Sequence, residues 1–315
     1  MGHRLQDRRW YRRQNGLREE RLAPLPEWNP LYVGAVVQRR SCVCGRGTTD
    51  KIRHAVARSR RRVKQLLIRG DDLGYSEAVT LGMISAHRKG LVNSVALMVN
   101  MPYAKEAIKL AKQCPNLCLG LHVNVTNGYA LAPKEMIPSL VDEHGIFLSS
   151  TIRRAQIKNN EPLFSEEDAY IEAKYQIEKY IELVGQLPEY IDLHVLEVEP
   201  LINAVVRIYH EYNVPVCYYG MDLEQGIIDQ TMKQYDYYEE HDHDFENMFI
   251  DGYYQIKEGL NILVTHPGFI DYDVATTSSM LKERLYDYSL VTSEKLKQWL
   301  RDNEIEVISF RDVKK

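Results

Sequence analysis

From Val63 onward, short apolar runs alternate with stretches in which apolar residues recur every three or four positions, a pattern that predicts strands exchanging with helices. Runs at 65–69, 92–99, 117–125, 190–195, 214–219, 260–264 and 306–310 read as strands. Helical spacing covers 76–88, 103–113, 165–185, 200–212 and 293–301. The third of these helices opens on Ser165 followed by Glu166, Glu167 and Asp168, a capping hydroxyl with acids at the positive end of the helix dipole. Two stretches lack such a period. Residues 133–161 are expected to be an irregular insertion loop with a strand-forming piece at 145–148, and 222–252 is acidic and rich in tyrosine. Seven strands alternating with helices across 63–315 predict a single α/β domain, a distorted or incomplete TIM-like (β/α) barrel.

Charge separates the first fifth of the 315-residue chain from the rest. Residues 1–63 hold 16 Lys+Arg against 5 Asp+Glu, a balance of +11, and 64–315 hold 24 against 39, a balance of −15. Fifteen of those first 16 basic residues are arginine, whereas the remainder has 16 Lys and 8 Arg. Arg8, Arg9, Arg12, Arg13 and the cluster from Arg58 to Arg62 suit an arm that binds phosphates, which would make affinity for nucleic acid steeply salt-dependent. A transit peptide would avoid the acids Asp7, Glu19 and Glu20. Because patterned elements begin only near Val63, the favoured reading of 1–62 is a disordered or non-native extension from a start placed too early, with nucleic acid disfavoured as a partner.

No apolar run approaches the roughly 20 residues of a spanning helix, and residues 31–37 are too short for a signal peptide. The expectation is a cytoplasmic protein with no membrane partner, and a homo-oligomer is left open. Five cysteines in such a chain imply no disulfide framework. Cys42 and Cys44 form a lone C-x-C without a second pair, and Cys114 and Cys118 around Pro115 read as packing residues.

The candidate chemistry gathers where predicted strands end. In QLLIRGDDLGYS, an apolar run delivers Asp71 and Asp72 side by side, and neighbouring carboxylates call for a cation, a partner base or full solvation. A polar strand-to-helix turn with one aspartate in water is the plainer reading of that stretch. His122 lies in the third strand, His194 follows Asp192 in the fourth, and His266 ends a later one. A lone strand histidine is more often a hydrogen-bonded core residue than a ligand. Yet carboxyl ends of parallel strands converge on one mouth, where one Asp and two His make a facial set suited to a divalent metal. His241, Asp242, His243 and Asp244 offer the right ligand types on an acidic loop, and read instead as a solvated or lid segment.

LLIRGDDLGYSEAV, NSVALMVNMP, LGLHVNVTNG, PEYIDLH, VTHPGFID and a closing SFRDV, in that order, resemble the YdjC-like carbohydrate deacetylases, a family that includes chitooligosaccharide deacetylases. The likeness covers 63–313. It implies a distorted TIM-like barrel that removes N-acetyl groups from small carbohydrates, using one divalent ion, Mg or Zn. By that resemblance Asp72, His122 and His194 are the metal ligands, Asp71 the general base and His266 the acid that protonates the departing amine. Leu193, Val195 and Leu196 depart from the polar run that such proteins commonly carry around the third ligand, so residues that bind the sugar stay unassigned. The alternatives are another metal-dependent hydrolase on the same barrel, acting on a phosphoester or a different amide, and a non-catalytic sugar-binding protein.

Overall fold

A computed structural model describes residues 63–217, 230–232 and 247–313; the Arg-rich segment 1–62, the end of the strand expected at 214–219 and the run 241–244 lie outside them. The sheet is built around β1 (Lys64–Leu73), whose residues from Leu66 onward are all buried. One edge of β1 is shared: its first half borders β7 (Glu306–Ile308) and its second half β2 (Ser94–Leu97). Along the other edge runs β6 (Gly259–Thr265), paired from Lys64↔Gly259 to Gly70↔Thr265. With β3 (Cys118–Val123), β4 (Ile191–Leu193) and β5 (Gln230–Met232) the order is β4-β3-β2-β1-β6-β5, and every pair is parallel. Ile191 also bonds Pro215 and Cys217 through its backbone N and O, at 2.8 and 2.7 Å, which adds a parallel bridge to Val216 beyond β4.

The sheet curls. Three inter-strand steps at ~4.8 Å would put β1 and β4 well apart in a flat sheet, yet Arg69 Nε of β1 lies 3.0 Å from Asp192 Oδ2 of β4. Strand alternation then divides side chains between an inside and an outside. Leu66, Ile68, Leu119, Leu121, Val123 and Leu263 face the core under the helices. Leu67, Cys118, Tyr190, Ile262, Val264 and Ile308 form a separate apolar plug inside the curl, against which Phe310 packs. Tyr190 stacks on Phe310 with ring centroids 4.0 Å apart. A Cβ on Gly120 of β3 would lie 2.5 Å from Cζ of Tyr190, so only glycine leaves room for this ring.

Helices connect the strands on the outside: α1 (Glu77–Lys89), α2 (Ala104–Ala111), α3 (Ser150–Lys158), α4 (Glu166–Val184), α5 (Glu199–Tyr212), α6 (Tyr272–Thr277), α7 (Lys282–Thr292) and α8 (Glu294–Asp302). Ser76 and Ser165 cap α1 and α4 as their sequences predict, and Gly185 closes α4 in the left-handed region at φ 90°. The predicted elements recur within the described residues except at 214–217, where the expected strand is a single bridge at Val216, and with three further differences. The loop expected at 133–161 contains α3, capped by Ser149. Both α6 and α7 occupy a stretch with no predicted element, and β5 lies in the acidic stretch. None of the helices among the described residues is long and apolar enough to cross a membrane.

The insertion is tied down by polar side chains. Glu172, fully buried on α4, accepts from the backbone N–H groups of Leu131 and Ala132 and from Gln176 Nε2. Asp168 accepts from Ser139 N and Oγ at 2.8 and 2.7 Å, and buried Arg153 of α3 donates to the carbonyls of Ser139, Leu140 and Leu163.

Two predictions arise from this packing. Gly120→Ala is expected to destabilise the fold by about 1–3 kcal/mol through overpacking against Tyr190, read from denaturant unfolding; a neutral result would show that the ring can move aside. Burial raises the Glu172 pKa to about 7 against the pull of the Ala132, Gln176 and Leu131 bonds. A raised acid stabilises the fold fully below its unfolded value near 4.5, and loses that contribution as pH rises through about 7. Stability should therefore fall across this window by on the order of 3 kcal/mol more in the parent than in Glu172→Gln. Identical slopes of stability against pH in the two proteins would contradict a protonated Glu172.

Candidate active site

The alternation that builds the apolar plug also builds what lies above it. Arg69 and Asp71 continue the inward face of β1 after Leu67, and His122 continues that of β3 after Cys118 and Gly120. Asp192 and His194 likewise follow Tyr190, and His266 follows Ile262 and Val264. Asp72 has the opposite parity and would point outward in a regular strand. The pairing register of β1 shifts between Gly70 and Leu73, and Asp72 takes φ 75°, a left-handed conformation that aspartate tolerates better than most residues. The irregularity turns Asp72 toward the histidines.

Asp72 Oδ1 lies 3.3 Å from His122 Nε2 and 3.1 Å from His194 Nδ1, and the two ring nitrogens are 3.3 Å apart. All three residues are buried. Oδ1 has two imidazole nitrogens close by and no hydrogen bond to either, an arrangement that suits a shared cation better than direct pairing. Separations of 3.1–3.3 Å are what metal bonds of about 2.1 Å at roughly 100° produce, so the donor set fits a divalent ion with positions left open. On its outer side, His122 Nδ1 is 2.8 Å from Asp192 Oδ1, the carboxylate partner that fixes the ring of a metal-binding histidine. Asp71, His122 and Asp192 form a second group of ligand type. There the cation is already supplied: Arg69 donates to both oxygens of Asp71 at 2.7 and 2.8 Å and reaches Asp192.

Electrostatics follow from this packing. Burial alone would raise the Asp72 pKa, but the Arg284 guanidinium, 2.7 Å from Oδ2, and the His194 ring hold the carboxyl well below its usual range. For His122, burial pulls down while Asp192 and Asp71 pull up harder, lifting the ring to about 10. The three carboxylates outnumber Arg69 and Arg284, and His122 takes up the deficit that a bound cation would otherwise fill. For His266 desolvation outweighs the pull of Asp72 and Asp71, lowering the ring to about 4. Its ring is therefore neutral near neutral pH, and its backbone N–H is held by Asp287 at 2.7 Å.

The structure brings Asp72, His122 and His194 within ligand distance of one another and sets Asp71 and His266 close enough for their charges to interact with the same group. Four further residues were given no role from sequence. Arg69 was hidden inside an apolar run, although it shares the inward parity of Asp71. Asp192 lies two positions before His194, a spacing that marks the same strand face. Arg284 and Asp287 come from α7, for which no periodicity was visible, and nothing local marks them.

An all-parallel strand–helix sheet curled over an apolar plug, with carboxylates and imidazoles at the carboxyl ends of its strands, defines an α/β barrel-type protein with a cluster of metal-ligand-type side chains at one end. Residues 65–302 match the model of the YdjC-like protein family, and the chain belongs to that family. The carbohydrate deacetylase of Brevibacillus brevis is 30% identical over 257 residues, 79% of this chain and 99% of its own. Carbohydrate deacetylase 2 of Listeria innocua is 28% identical over 258 residues, 80% of this chain and 99% of its own. Among solved structures, an Enterococcus faecalis protein named for cellobiose-phosphate cleavage superimposes with TM-score 0.69 at 26% identity, over 80% of this chain and all of its own.

Removing the central guanidinium tests the charge arrangement. Arg69→Met leaves Asp71 and Asp192 buried without their cation and is expected to lower stability by about 3–5 kcal/mol at neutral pH. An unchanged denaturation midpoint would mean that other groups hold these carboxylates.

Proposed function

We propose that the chain hydrolyses the N-acetyl group of small carbohydrates such as acetylated chitooligosaccharides, in a metal-dependent reaction. The observation that carries this reading is the triplet Asp72 Oδ1, His122 Nε2 and His194 Nδ1 at mutual distances of 3.1–3.3 Å, with a second carboxylate, Asp71, beside it. Similarity to proteins named carbohydrate deacetylases supports the substrate class.

Asp72, His122 and His194 would hold the ion, Mg or Zn, which when bound supplies Lewis acidity toward the acetyl carbonyl and toward a water. Asp71 accepts the proton of that water as its oxygen adds to the carbonyl carbon. The Arg69 fork fixes both Asp71 oxygens in place. Breaking the C–N bond then requires a proton on the departing nitrogen. His266, neutral at the outset, receives the proton that Asp71 took from the water and gives it to the amine, which returns both groups to their starting states. The products are acetate and the free amino sugar.

The similar Enterococcus structure, named for a phosphorylated disaccharide, motivates a second reading, hydrolysis of a phosphoester at the same site. A panel of N-acetylated chitooligosaccharides and phosphorylated disaccharides separates the two by the release of acetate or phosphate, measured with a chelator and after metal add-back. Acetate release that needs metal is expected. Asp71→Asn should retain metal and lose about 10²–10⁴-fold in turnover, whereas His122→Ala should lose metal. Near-full activity of Asp71→Asn would remove the base assignment.

A further inference from the structure

The segment Asn124-Val125-Thr126-Asn127 has no part in the chemistry above, yet its side chains reach the site. His194 turns Nδ1 toward Asp72 and His122 and its other nitrogen, Nε2, toward Asn127, whose Nδ2 lies 3.2 Å away. The outer nitrogen of His122 has a carboxylate partner in Asp192; that of His194 has a neutral amide.

The backbone around that amide is anchored. Asn127 N donates to Asn124 Oδ1 at 3.0 Å, and Asn127 O accepts from Asn124 Nδ2 and Asn100 Nδ2 at 2.7 and 2.9 Å. Fully buried Asn124 is itself clasped at backbone N and O by Gln176 of α4, at 3.0 and 2.6 Å, and Gln176 bonds Glu172. The network sets where the amide sits and leaves its end-for-end orientation open, since Oδ1 and Nδ2 exchange places by a half-turn.

That freedom matches two states of the ring. With the proton on Nδ1, Nε2 is an acceptor and Asn127 presents Nδ2. When the Nδ1 lone pair goes to a cation, the proton resides on Nε2 and needs an acceptor, which Asn127 supplies by presenting Oδ1. We infer that Asn127 is a positioning residue for His194, holding its outer nitrogen in both states and turning over as the site loads. The inference rests on the metal reading above.

The test measures Zn²⁺ affinity by competition with a chromophoric chelator, in the parent, His194→Ala, Asn127→Leu and Asn127→Asp, with thermal unfolding of each metal-free protein alongside. Leucine offers no acceptor and is expected to weaken Zn²⁺ binding by about 10–100-fold. Aspartate offers an acceptor only, matches the loaded state, and is expected to bind at least as tightly as the parent. A merely structural role would lower the melting temperature of both variants without separating their affinities. Zn²⁺ binding by Asn127→Leu within twofold of the parent, or binding by Asn127→Asp as weak as that of leucine, overturns the inference alone. A parent that binds no better than His194→Ala overturns the metal reading and this inference with it.

Discussion

Three carboxylates share a space from which water is excluded, and the fold depends on how that charge is balanced. Asp71, Asp72 and Asp192 would repel one another strongly in a low-dielectric interior, and each has a cation within reach. Arg69 spans Asp71 and Asp192, Arg284 holds one oxygen of Asp72, and His122 bridges between the two sets. The balance stops one charge short without an added proton or ion. A site that is tight electrostatically and incomplete in this sense has a place for one more positive charge.

Geometry delivers these groups to one place through two simple constraints. Inward parity on four parallel strands stacks polar residues over apolar ones, so the plug of Leu67, Tyr190 and Ile262 forms the floor beneath Arg69, His122 and Asp192. The exception, Asp72, needs a break in register and a positive φ, a local strain of about 1–3 kcal/mol that its bond to Arg284 helps to offset. Regular strands supply the frame, and one irregularity completes the donor set.

Much of this was legible in the chain, and the limits have physical causes. β1, β3 and β6 are buried on both faces, so each leaves an apolar run that stands out from its surroundings. The resulting parallel strand–helix reading agrees with the observed sheet. α7 is different, because its buried positions include Arg284 and Asp287 and no apolar stripe announces it. α3 similarly buries Arg153 where a hydrophobic residue would have marked the inner face. The gathering of His122, His194 and Asp72 could be anticipated from strand ends alone. The guanidinium partners could not, since Arg69 meets Asp192 and Arg284 meets Asp72 only after the sheet has curled and α7 has docked.

The shared edge of β1 carries a consequence for the order of assembly. β1 comes early in the domain, yet Gln65 pairs with Glu306 and Lys64 with Gly259, so two of its three neighbours are made some 200 residues later. Until those segments emerge, the strand that bears both aspartates has only β2 beside it and a cluster of acids without the arginine of α7. Loop closure over such separations is slow, and the centre of the molecule is among the last regions to become ordered. A nascent chain that stalls before residue 259 would expose the apolar run Leu66–Ile68 together with Asp71 and Asp72, a combination suited to recognition by chaperones.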